Sequence, residues 1–82
     1  MQRDELENFI KTLESMSEQT LTRHARRYIC QSLFAINQEG LEIDVQTALD
    51  VLYAEFYNRG MERLYDMTYE SVSKNPDSCK AT

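Results

Sequence analysis

Residues 52–72 read LYAEFYNRGMERLYDMTYESV. Tyr53, Tyr57, Tyr65 and Tyr69 recur at steps of four and eight residues, and Met61 fills the middle gap. A four-residue step drifts by about 40° around an α-helix, so on one straight rod Tyr53 and Tyr69 would end about 160° apart. The apolar positions show the same discontinuity. Val45, Ala48, Leu49, Leu52 and Phe56 keep to one helical face, whereas Met61, Leu64, Tyr65, Tyr69 and Val72 form a second stripe centred about 180° away. Asn58, Arg59 and Gly60 stand at the join. Two architectures fit: a helix that ends at Gly60 and is followed by another, or one long helix that shows different faces to different neighbours. Asn-x-Gly at a change of phase favours the break, because glycine enters the left-handed region without a steric cost.

The tyrosines carry two readings. In one, Tyr53 and Tyr57 flank the core of one helix while Tyr65 and Tyr69 pack the next, with hydroxyls reaching water. In the other, Tyr53, Tyr57, Met61, Tyr65 and Tyr69 form a docking patch for a protein partner or a second copy of the chain. Tyrosine suits such a patch because it supplies large contact area at low entropic cost.

Outward from this stretch the chain is helical in pattern, with only two glycines and one proline. Over residues 3–17, Leu6, Phe9, Ile10, Leu13 and Met16 repeat at helical spacing, and Glu7 precedes Lys11 in the favourable order. Ser17 or Thr20 is the candidate cap of a second helix over residues 21–38. Leu21, Ala25, Tyr28, Ile29, Ser32 and Ile36 share one side of it, and Gly40 is its expected stop. Asp44 is placed to cap a third helix, with Ile43 and Ala48 set for a hydrophobic staple. The expected architecture is all-α: a small bundle of three to four helices forming one domain over residues 1–74. A polar, frayed and flexible tail over residues 75–82 follows.

Length and charge bound the function. Eighty-two residues make one domain, and a chain of this size buries only about 60–65% of its unfolded surface, so self-association as a homodimer is in keeping with it. Fourteen acidic against nine basic residues give a net charge of −5. That field repels nucleic acid and allows at most peripheral contact with an anionic membrane. The opening MQRDELENF carries charges where a signal peptide needs an apolar core. No apolar run exceeds that of residues 33–36, four residues, against the roughly 20 of a transmembrane helix. Cys30 and Cys79 lack metal-ligand spacing and are expected as free thiols in a reducing cytoplasm. The chain is expected to be soluble and cytoplasmic.

RHARR, residues 23–27, sets Arg23, Arg26 and Arg27 near a helix start, where the macrodipole disfavours cations. The arginines either pair with Glu14 and Glu18 on a solvated face or form a small basic patch that meets an acidic segment of a partner, or phosphates. The single histidine, His24, does not make a metal site with Cys30. No serine sits in a glycine elbow and no glycine-rich phosphate loop occurs, so an enzyme is not expected. Glu42, Asp44, Asp50 and Glu55 lack calcium-loop spacing. No cofactor is expected. A binding protein remains: a regulator that occupies a partner, an adaptor, or a small transcription-related factor.

The course of the chain from MQRDELENFIKTLESM through RYICQSLFAINQEGLEID to the tyrosine-rich end resembles the small cytoplasmic antiholins of T-even bacteriophages, the lysis-inhibition protein of the third r locus. The resemblance spans the whole chain without a diagnostic motif, so it transfers no site residue. It implies a non-enzymatic role: binding the cytoplasmic part of the phage membrane holin, so that hole formation and host lysis are delayed. The rival class is an acidic phage or plasmid regulator of a soluble host protein such as a transcription component.

Overall fold

The break at residues 58–60 organises the molecule. In the computed structural model, which describes residues 3–35 and 43–80, Arg3–Glu14 form α1, Glu18–Phe34 α2, Val45–Asn58 α3, Glu62–Lys74 α4 and Asp77–Lys80 α5. The described residues are all-α, with four helices of 12 to 17 residues and one short terminal turn.

α3 ends in a hydrogen-bond pattern that requires Gly60. Gly60 takes φ 73°, its amide donates to the Tyr57 carbonyl at 3.0 Å, and the Met61 amide reaches back to the Phe56 carbonyl at 2.8 Å. These paired bonds use carbonyls that the helix end would otherwise leave open, and the left-handed residue reverses the chain. The two stripes of residues 45–72 therefore belong to two helices. Because the chain turns between them, both face one core: Ala48, Leu49, Leu52 and Phe56 are buried from α3, and Tyr65, Thr68 and Val72 from α4. Thr68 is accommodated there because its hydroxyl donates to the Leu64 carbonyl at 2.8 Å.

α2 lies at the centre, packed against α3, α4 and α5, while α1 rests on α3. Ser17 caps α2, its Oγ accepting from the Thr20 amide at 3.2 Å, so the helix begins ahead of the expected Leu21. Leu21, Ala25, Tyr28 and Ile29 from its expected face are fully buried, whereas Ser32 is exposed. Ala35 closes the helix at φ 53°. Ile36, Gln38 and the expected stop at Gly40 lie outside the described residues, as does Glu42. Asp44 caps α3 as expected: its Oδ2 accepts from the Thr47 amide at 3.1 Å and the Thr47 hydroxyl at 3.2 Å. Ile43 and Ala48 are buried in the common core.

Two expectations are corrected at the C-terminal segment. Cys30 and Cys79 form a disulfide, with Cα atoms 5.8 Å apart, and are not free thiols. Residues 77–80 are helical and Cys79 is buried, so this part of the tail is docked on α2 instead of frayed. Arg26 adds a polar tie, donating from Nη2 to Ser78 Oγ at 3.0 Å. The pattern reading saw a short polar segment with a proline and missed that one apolar side chain in it, Cys79, meets its counterpart across the fold.

Candidate functional site

The tyrosines divide by depth. Tyr65, one turn into α4, is 8% exposed, and its ring packs edge-on against Tyr53 and Phe56 with centroids 5.2 and 5.5 Å away. Burial raises the Tyr65 hydroxyl above its ordinary pKa. Tyr69, Asp50, Asp66 and Tyr53 add to the effect, since each disfavours a second negative charge nearby. Met61 is half-buried against the core. Tyr53 and Tyr69 are 41% and 38% exposed, and Tyr57 is 58% exposed. Core packing accounts for Tyr65 and Met61, and surface exposure sets Tyr53, Tyr57 and Tyr69 apart.

Three of the four tyrosines meet at one place. Tyr53, Tyr65 and Tyr69, with Leu49 and Asp50, line a groove of about 340 Å³ between α3 and α4; Gln46 and Ser32 of α2 complete its edge. The geometry follows from the turn at Gly60, which lays the start of α4 beside the end of α3 and brings Tyr65 to Tyr53. Gln46 Nε2 makes a long contact of 3.5 Å with Asp50 Oδ1, one helical turn on, and both side chains stand exposed at the rim. Tyr57 does not line the groove.

The three arginines stand at i, i+3 and i+4 of α2 and differ in exposure and partners. Arg23 is exposed and Arg27 half-buried, while Arg26 is engaged with Ser78. Among the described residues none of the three forms an ion pair with Glu14 or Glu18; Glu55 pairs with Arg59 and Glu70 with Lys74. His24 is half-buried beside Phe9 and Tyr28, with ring centroids 5.9 and 5.6 Å away.

Pattern reading missed Asp50, Gln46 and Leu49 as neighbours of the tyrosines. A signal was present: Gln46, Asp50 and Tyr53 fall at steps of four and three, which places them on one side of a helix. It also missed Met67, 60% exposed on α4. Among the described residues, no group of three or more His, Cys, Asp and Glu side chains is placed to hold a metal ion, and no helix is long and apolar enough to cross a membrane. Comparison with protein-family models, curated proteins and solved structures finds no match to the chain.

Proposed function

We propose that the chain is a non-enzymatic regulatory protein that occupies a protein partner through its α3–α4 surface. The observation that carries this reading is the exposure of Tyr53, Tyr57 and Tyr69 on two adjoining helices. Tyr53 and Tyr69 beside the groove, and Tyr57 one turn beyond Tyr53 on α3, supply aromatic contact area that the monomer leaves in water. In its most specific form the protein is an antiholin that binds the cytoplasmic part of a phage holin and delays lysis. The whole-chain resemblance supports that form, and so does the groove, since an amphipathic segment of a partner docks in such a cleft between helices. The location in this reading is the host cytoplasm. The Cys30–Cys79 bond weighs against it, because reducing compartments keep thiols reduced.

The test is capture from the native host, with membranes solubilised in mild detergent, using the wild type and a Tyr57→Ala/Tyr69→Ala variant of unchanged helicity. One membrane protein retained by the wild type and lost by the variant is the expected result. A soluble partner lost in the same way would move the reading to a regulator of a host protein. Retention of every partner by the variant would overturn the docking surface.

A further inference from the structure

The groove between α3 and α4 has a chemical character more specific than an apolar cleft. Its floor is Leu49 and the buried Tyr65, its walls are Tyr53 and Tyr69, and its rim carries the Asp50 carboxylate with Gln46 beside it. The Tyr53 and Tyr65 rings meet at 85° with centroids 5.2 Å apart, so they form a corner. The face of an aromatic ring is the negative lobe of its quadrupole and attracts a cation held within about 6 Å. Asp50 adds a formal negative charge beside that corner, and none of the described lining residues is basic. The chain as a whole carries −5, which draws a cation toward it from a distance.

We infer that the Tyr53–Tyr65–Tyr69 corner with Asp50 is a receptor for a cationic side chain, an arginine guanidinium or a lysine ammonium, presented by a basic segment of a protein partner. The inference rests on the docking reading above and specifies the charge of what docks. The groove's form favours a side chain over a free small molecule. Small-molecule sites enclose most of their ligand, whereas this groove opens along its outer side and is lined by polar and apolar surface together. A side chain brought by a larger partner needs no such enclosure, because flanking residues supply the remaining contact. Charge and rings act on the same group: the exposed rings of Tyr53 and Tyr69 strip part of its water and offer π surface, buried Tyr65 backs them, and Asp50 neutralises it.

The experiment is an NMR titration of the full chain, uniformly ¹⁵N-labelled, at fixed ionic strength. The probes are acetylated, amidated nine-residue peptides of alanine and serine with a central arginine or lysine, and the same peptide with a central leucine is the uncharged comparison. Saturable shifts centred on Gln46, Asp50, Tyr53 and Tyr69 with the cationic probes, and not with the leucine probe, are expected. Asp50→Asn and Tyr53→Leu should each weaken that binding about three- to tenfold, in variants whose thermal unfolding matches the wild type. Equal binding of the leucine probe would overturn the inference, as would unsaturable shifts or an Asp50→Asn variant that binds like the wild type. Sedimentation at the same concentrations adds one more outcome. Self-association abolished by both Asp50→Asn and Arg23→Ala would give the corner to an arginine of a second copy and overturn the separate partner. No partner enters the titration, so its failure leaves the docking surface to the capture experiment, and failure of capture leaves the titration intact.

Discussion

Arg59 donates from Nη2 to the Leu13 carbonyl at 2.8 Å, across 46 residues of chain, and so caps the end of α1 from the end of α3. The same group reaches the Glu14 carbonyl at 3.4 Å, while its Nε donates to Glu55 Oε2 at 2.6 Å. One guanidinium thus satisfies carbonyls that α1 cannot bond internally and fixes the two helices end to end. Arg59→Ala should destabilise the fold by about 1.5–3 kcal/mol, the range for hydrogen bonds to a charged group. Arg59→Lys, with a point charge in place of the fork, should recover only part of that loss. Urea unfolding of both variants measures it, and equal midpoints for wild type and alanine would remove Arg59 from the account of how α1 is held.

The Gly60 turn separates strain from crowding. A Cβ built at Gly60 would meet nothing within 4 Å, yet φ stays at +73°. Gly60→Ala should therefore cost about 1–2 kcal/mol through backbone strain alone. Gly60→Asn should cost less, because asparagine tolerates the left-handed region. The order glycine, asparagine, alanine in urea midpoint is the expected result.

The disulfide closes a loop with a sequence separation of 49. In the chain-entropy account, a loop of that length stabilises the native state by about 4 kcal/mol, and measured values are often lower. Reduction, or Cys79→Ser, should lower stability by about 2–4 kcal/mol. Amide exchange should quicken first at residues 77–80, with the helicity of α1 to α4 retained. An unchanged melting temperature on reduction would mean that burial alone holds the segment.

Tyr65 and Tyr57 should respond oppositely to truncation. Tyr65→Ala leaves a void between Tyr53 and Phe56 and should cost about 3 kcal/mol or more, whereas Tyr57→Ala should stay within about 0.5 kcal/mol of wild type.

Tyr65 also gives the fold an alkaline limit. Its native pKa lies above the unfolded value of 10.0, first through burial and then through Tyr69, Asp50, Asp66 and Tyr53. Between the two values the unfolded chain holds fewer protons than the native one. The contribution is thus complete below pH 10.0 and is lost as pH rises through the native value. Tyr65→Phe keeps the ring, removes the proton, and should make the alkaline loss of stability shallower in urea titrations at successive pH values.

The architecture was legible to the extent that it is local. Periodicity marked α1, α3 and α4, Asp44 announced itself as a cap, and the change of phase at Asn58–Gly60 located the turn. Those signals depend on neighbours within about one helical turn. The docking of Cys79 on Cys30, of Ser78 on Arg26 and of Arg59 on Leu13 joins residues 46 to 52 positions apart, and no local pattern encodes such meetings. The groove is intermediate. Its α3 side, Gln46, Asp50 and Tyr53, lies on one helical face, but the approach of Tyr65 exists only once the chain has turned. For the same reason the tyrosines, evenly spaced along the chain, divide into buried and exposed members. Spacing sets the angle around a helix, whereas depth depends on what lies opposite.

Gly60 does not line the groove, yet the groove's two walls are the helices on either side of it. The groove therefore has a knuckle: a residue without a side chain sets the spread between two fingers of aromatic surface. On the docking reading proposed above, sequence drift at that joint would be felt as altered affinity before any contacting residue had changed.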